Sequence, residues 1–244
     1  MCDSVNFSTE IADFLQYRGF KVQKFNHIKR FPIVVGKQAM YIMDWQKSQL
    51  VYSRGIKKML GYNRMEFTMQ LALNCIHPED LDVVNNIHRG VINLAINTDV
   101  KVQKLYLNIT FRLLKKDGRY IRVMRQSSPY HTDEDGKLLS NLSILTDISF
   151  MKTNSNLVEW ELFADKLDVS KFKQNVYKEF INFFTPREKE IINLIQNDFT
   201  NQEIASRLFI STHTVVSHRK NILKKSNCHN SKELLTFCEL NGII

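Results

Sequence analysis

Residues Thr200 to Lys225, TNQEIASRLFISTHTVVSHRKNILKK, restrict the architecture of this chain more than any other segment. Thr200 precedes Glu203 by three residues, the pattern of a capping box, and Ser211 stands before a long amphipathic run. These two N-caps lie eleven residues apart. Two helices so placed are separated by a turn of about three or four residues and must meet at their ends. Ile204, Ala205, Leu208, Ile210, Val215 and Ile222 fall where such a pair needs apolar side chains, and small Ala205 lets the second helix approach closely. The spacing is that of a helix-turn-helix.

With Val215 facing the core and an advance of about 100° per residue, His213, Ser217, Lys220 and Lys224 point away from it, flanked by Val216 and Asn221. Between Ser211 and Ser226 lie four basic residues, Arg219, Lys220, Lys224 and Lys225, and no acidic one. A solvated charged face would explain a basic run alone. Caps, core spacing and one-signed charge together fit duplex DNA, which rewards cations through counterion release and admits a helix into its major groove.

Residues Phe184 to Ile244 resemble the C-terminal DNA-binding domain of the LuxR/GerE type, also carried by response regulators of the NarL group. The matching positions are Phe184, Thr185, Arg187, Glu188, then Thr200, Asn201, Glu203, Ile204, Ala205, then Ile210, Ser211, Thr214, Val215, and finally His218, Asn221, Ile222 and Lys225. The resemblance implies a four-helix unit that dimerises through its last helix, near Leu235 or Cys238. It assigns base-edge contact to Val216, Ser217 and Lys220. Phosphate contact is implied for polar groups near Thr200, Asn201, Gln202 and Thr214 and for the flanking basic residues. His213, His218, Asn221, Lys224 and Lys225 complete the expected interface.

Two positions depart from the family pattern. Val216 replaces a usual Lys, exchanging a hydrogen-bonding contact for one suited to a thymine methyl. Asp198 replaces a usual Gly after a helix, where aspartate tolerates left-handed geometry better than most residues. The flanks follow local rules: Thr185, Pro186 and Glu188 make a cap, an N1 proline and a capping-box partner, and Ser231 opens a last helix that stops near Gly242.

The formal net charge is +9, yet Thr185 to Ile244 contains eight basic and six acidic residues, a net of +2. The excess lies upstream, where Arg18, Lys21, Lys24, Lys29, Arg30 and Lys37 occur with no acid between Asp13 and Asp44. A solvated face explains that run better than a second contact with the DNA backbone. Cys2, Cys75, Cys228 and Cys238 show no paired spacing, which points to a reducing cytoplasm. No secretion signal opens the sequence and no run of about eighteen apolar residues occurs, so neither export nor a membrane partner is expected.

Upstream of the reader, Ala39 to Met43 and Leu50 to Ser53 read as strands, followed by a helix ending near Gly61. His77-Pro78-Glu79-Asp80 starts a longer helix, with proline at N1 and acids that complement the dipole. Leu105 to Leu114 and Tyr120 to Tyr130 form a hairpin across Lys116-Asp117-Gly118, and Leu138 to Ile148 adds a third strand. This order resembles the PAS fold over Gln38 to Lys152, with Gly61-Tyr62, His77-Pro78-Glu79-Asp80 and Asp147-Ile148-Ser149 as landmarks. PAS domains imply a pocket that holds haem, flavin or a small metabolite in some members. Cys75 lacks the surroundings of a flavin-photoreceptor cysteine, His77 is better explained as a helix cap than as a haem ligand, and a lone His88 is more often structural. No cofactor is evident, and an unidentified small ligand stays open.

Between these parts, Leu157, Trp160, Ala164 and Leu167, then Phe172, Val176, Phe180 and Phe184, suggest two apolar-striped helices, the second capped by Ser170. Packing in cis on the PAS sheet is the simplest arrangement; pairing across a dimer is the other. Ser8 to Phe20 reads as a further helix. No nucleotide-binding, hydrolase or metalloprotease motif and no receiver-type phosphoacceptor appears, so catalysis is not expected.

The expected plan is an N-terminal helical extension (1–37), an α+β PAS-like sensor domain with an antiparallel sheet and flanking helices (38–152), a helical linker (153–183) and an all-α four-helix LuxR-type domain (184–244). The expected function is sequence-specific transcription regulation by a dimer on double-stranded DNA, with RNA polymerase as a further partner. The alternative is a PAS-based signalling or scaffold protein whose helix-turn-helix serves protein contacts.

Overall fold

The computed structural model describes residues 28–100, 105–151, 157–164 and 168–244; the expected helix at Ser8 to Phe20 lies outside them. After a short 3-10 turn, strands β1 (Gln38–Asp44) and β2 (Gln49–Arg54) precede helices α1 (Ile56–Leu60), α2 (Met69–Asn74) and α3 (Pro78–Asn97). Strands β3 (Tyr106–Leu114), β4 (Tyr120–Thr132), β5 (Leu138–Asp147) and β6 (Trp160–Phe163) follow. Helices α4 (Val169–Glu179), α5 (Pro186–Gln196), α6 (Asn201–Leu208), α7 (Thr212–Ser226) and α8 (Ser231–Leu240) complete the chain.

The six strands form one antiparallel sheet in the order β2-β1-β5-β4-β3-β6. Period-two patterning places its core face: along β3, Leu107, Ile109, Phe111 and Leu113 are buried while their neighbours are half-buried. They meet α3 through Val83, Val84, Ile87 and Ala95. His77 caps α3 as expected, its Nδ1 accepting from Glu79 N at 3.3 Å.

The segment from Leu157 departs from the helical expectation. Trp160 and Leu162 are buried while Glu161 and Phe163 are exposed, an alternation of two, and the strand pairs with β3 from Ile109↔Trp160 to Tyr106↔Phe163. The i, i+3 spacing of Leu157 and Trp160 suits a helix locally, but β3 offers an unpaired edge whose backbone groups need partners. The second expected helix exists, with Asp168 rather than Ser170 as its cap: Asp168 Oδ1 accepts from Ser170 N at 2.9 Å.

Helix α4 packs in cis against α3, and Gly90 permits the crossing. A Cβ there would lie 2.6 Å from Val176 Cα and 2.9 Å from its N, both backbone atoms that cannot rotate away. Gly90→Ala is therefore expected to destabilise the protein by about 1–3 kcal/mol, despite alanine's better helix propensity. A urea titration of the variant that shows equal or greater stability would refute this crossing.

The last four helices enclose a second part of the core, including Ile191, Ile195, Ile204, Val215, Ile222 and Leu234, all at most 6% exposed. Phe180, Phe183 and Phe184 join it to the α4 segment by packing around Phe237, with ring centroids 6.3, 5.4 and 6.3 Å away. Cys238 is fully buried, and burial pushes its thiol up to about 12; it is a core residue of this chain. Trp160 Nε1 donates to Asn241 Oδ1 at 3.1 Å, which seats the C-terminal end against the sheet edge.

Candidate nucleic-acid interface and sensor cavity

Local capping sets the helix-turn-helix. Thr200 Oγ1 accepts from Glu203 N at 3.4 Å while Glu203 Oε2 accepts from Thr200 N at 2.8 Å, closing the capping box at the start of α6. Those hydrogen bonds hold the Glu203 carboxyl below its ordinary range. Helix α6 ends at Phe209, left-handed at φ 54°, and Ser211 Oγ accepts from Thr214 N at 3.0 Å to start α7. The left-handed residue turns the chain so that α7 can lie across α6. Asp198, the other departure from the family pattern, takes φ 60°.

Val215 and Ile222 are buried on the inner face of α7. His213, Val216, Ser217, Lys220, Asn221 and Lys224 are exposed, and His218 and Thr214 are half-buried beside them. Val216 retains 48% exposure, so an apolar side chain stands open among polar ones, as a contact to a thymine methyl would require. On α6, Gln202 is exposed beside Thr200, and its backbone carbonyl accepts from Ser206 Oγ.

Some basic residues are committed to the fold. Arg219 Nη1 donates to Asn201 Oδ1 at 3.0 Å and Nη2 to Ser231 Oγ at 2.7 Å, clamping α7 to the first turns of α6 and α8. The side-chain oxygen of Asn201, a residue expected at the phosphates, is thus engaged inside the domain. Lys225 Nζ donates to Glu188 Oε2 at 3.2 Å and lies over the rings of Phe183 and Phe184 at 5.9 and 5.6 Å. Burial would raise the Glu188 carboxyl, but bonds from Thr185 and Lys225 outweigh it and hold it below the usual range. Lys220 and Lys224 make no such contact among the described residues, so the cationic part of the exposed face centres on them.

The C-terminal four-helix domain also touches the PAS-like domain. Asn227, left-handed at φ 55°, caps α7, and with its amide turned so that both ends find partners it donates to Glu79 Oε2 at 2.9 Å and accepts from Arg112 Nη2 at 2.8 Å. The exposed face of α7 stays clear of this contact.

Inside the PAS-like domain a cavity with about 980 Å³ of empty space, its open mouth included, lies between the sheet and helices α2 and α3. Tyr41, Trp45, Phe67 and Phe111 line it together with aliphatic side chains, and Arg125, His88, Ser127, Ser128 and Asn141 are its polar members. Cys75 and His77 are outside this lining; the Cys75 thiol is buried and donates to the Tyr62 hydroxyl at 3.4 Å. Among the described residues no cluster of three or more potential metal ligands occurs, and no helix is long and apolar enough to cross a membrane.

Arg125 was not singled out in the sequence. Its signal was the period-two pattern of β4, which places Arg125 on the same face as buried Val123. The isolated charge breaks the pattern, and such breaks fall at functional or strained positions.

A six-stranded antiparallel sheet with an internal cavity, followed by a capped helix-turn-helix, defines an α+β domain joined to a four-helix domain. Comparison with known proteins specifies both. Residues 182–238 match the family of bacterial regulatory proteins of the luxR type, and residues 49–145 match the PAS fold. The chain thus carries a luxR-family helix-turn-helix domain behind a PAS domain. Among curated relatives, the uncharacterized response regulatory protein YgeK of Escherichia coli K12 is 48% identical over 54 residues, 22% of this chain and 37% of YgeK. The uncharacterized transcriptional regulatory protein YxjL of Bacillus subtilis is 33% identical over 72 residues, 30% of this chain and 33% of YxjL. The chain therefore spans about a third of the length of these relatives. Among solved structures, a Vibrio cholerae VqmA dimer described among LuxR-type receptors is 16% identical, covering 89% of this chain and 87% of that one at a TM-score of 0.34.

Proposed function

We propose that this chain is a sequence-specific DNA-binding transcription regulator. In this reading α7 enters the major groove, Val216, Ser217 and Lys220 meet base edges, and Thr200, Gln202, Thr214 and Lys224 meet the backbone. The observation that carries it is the exposed face of α7: Val216, Ser217, Lys220 and Lys224 are open to solvent on a helix without an acidic residue. The domain's net +2 supports a second element of the reading, that two copies act together, because few phosphates can be neutralised by one. The PAS domain senses a signal or holds the dimer. The protein acts by binding rather than by catalysis, in the cytoplasm, with RNA polymerase as its downstream contact.

Lys220→Ala is expected to weaken binding to a selected duplex by about 1–3 kcal/mol and to relax preference at one position. Lys224→Ala, as a phosphate contact, is expected to weaken all sequences alike and reduce the slope of log affinity against log salt by about 1. Fluorescence anisotropy over a salt series separates the two. Unchanged affinity and preference in Lys220→Ala would remove it from the base-reading role.

A further inference from the structure

The sensor cavity holds a charge that the protein leaves unbalanced. Arg125 on β4 pairs across the ladders with Ile109 and Leu145, which are 0% and 2% exposed, so its guanidinium starts from the dry face of the sheet. One of its terminal nitrogens meets His88 Nε2, and its side chain lies 5.8 Å from the centre of the Phe111 ring. Its Nε is buried and has no hydrogen-bond partner among the described residues, none of which brings a carboxylate within ion-pair reach.

His88 does not supply the missing charge. Burial first, and the neighbouring guanidinium second, hold its pKa well below the ordinary value, so the ring is neutral and offers a lone pair to Arg125. Nearby polar groups are already matched to one another: Asn141 accepts from Trp45 Nε1 at 2.8 Å and donates to Ser143 Oγ at 3.0 Å, and Ser143 bonds Ser127 at 2.8 Å. The donor left without a partner in this largely aromatic and aliphatic cavity is the guanidinium's Nε. A cation in such surroundings is costly unless an anion joins it, and the planar fork of arginine fits a carboxylate.

We propose that the cavity binds a small organic acid as its anion, the carboxylate on Arg125 and the apolar body among Tyr41, Phe67 and Phe111. The proposal rests on the sensor role given above to the PAS domain. It also supplies a route outward: His88 lies on α3 two residues before Gly90, where that helix touches the backbone of α4, the helix leading to the reader.

The test uses the full chain with benzoate, phenylacetate and hexanoate, each compared with its primary amide by thermal shift and calorimetry. At least one acid is expected to raise the melting temperature saturably, with its amide at least about tenfold weaker. Arg125→Met is expected to abolish that difference. Should this variant not fold, Arg125→Lys retains the charge without the fork and is expected to bind the acid with intermediate affinity. No binding by any acid, equal binding of acid and amide, or unchanged acid binding in Arg125→Met and Arg125→Lys overturns the proposal. Specific DNA binding is measured on the same preparations. Its persistence without acid binding rejects the ligand class alone, whereas its absence beside acid binding rejects the reader.

Discussion

Asp80→Ala is expected to cost about 3–5 kcal/mol of folding stability, more than a surface helix-end acid could. Asp80 is 1% exposed and accepts from Arg112 through the backbone N at 2.7 Å, Nη2 at 2.6 Å and Nε at 3.2 Å. Removing the carboxylate strands a largely buried guanidinium whose one remaining carboxylate partner is exposed Glu79, at 2.9 Å, beside the neutral amide oxygen of Asn227. Because Asn227 also bonds this cluster, the loss would loosen the seat of α7 on the sensor domain. Paired replacement, Asp80→Ala with Arg112→Met, is expected to recover much of the loss, since two apolar groups leave no orphaned charge. Urea titrations of both variants provide the measurement. A single-variant loss under about 1 kcal/mol would show that solvent reaches the pair.

Phe237→Ala is expected to cost about 3–5 kcal/mol, the range for deleting a buried aromatic side chain. Phe237 is 1% exposed and meets Phe180, Phe183 and Phe184, so its loss opens the junction between the α4 segment and the reader as well as α8 itself. Phe237→Leu, which keeps most of the volume, is expected to cost under about 1.5 kcal/mol. Equal losses in the two variants would show that the cluster depends on ring geometry rather than on filled space. Limited proteolysis gives a second readout: cleavage near Phe180 should accelerate in Phe237→Ala while cleavage within the sheet does not.

Those two residues also show what the sequence could convey. Period and capping made the local elements legible: Thr200 with Glu203, Ser211 as a cap, and Pro78 after His77 act where the sequence placed them. Strand edges agreed within a few residues because β3 and β5 carry clear apolar runs between turn residues such as Asp117-Gly118. Local rules also explained Asp80 as a dipole-complementing acid in a first turn, which it is. They could not reveal its partner, because Arg112 is a strand residue brought to it by the packing of α3 on the sheet. The same limit hid β6, whose four residues become a strand only because β3 has an edge to fill.

The exposed face of α7 was recoverable because one helix contains it. From Val215 alone, helical periodicity separates His213, Val216, Ser217, Lys220 and Lys224 from the core. Periodicity could not separate a charge that faces solvent from one already engaged. Arg219 and Lys225 looked like members of the basic face until Asn201, Ser231 and Glu188, from other helices, came within hydrogen-bonding distance. Arg125 breaks the apolar alternation of β4, but that its Nε has no hydrogen-bond partner among the described residues shows only once the neighbours on other elements are in place.

Selection of bound sequences from a random duplex pool by the purified full chain tests sequence-specific reading by α7 most directly. The expected result is one enriched motif of two related half-sites, spaced by about one helical turn or a multiple of it. Lys220→Ala should relax the same base in each half. Retention of DNA without an enriched motif, or an unchanged motif in Lys220→Ala, would contradict reading by this face of α7.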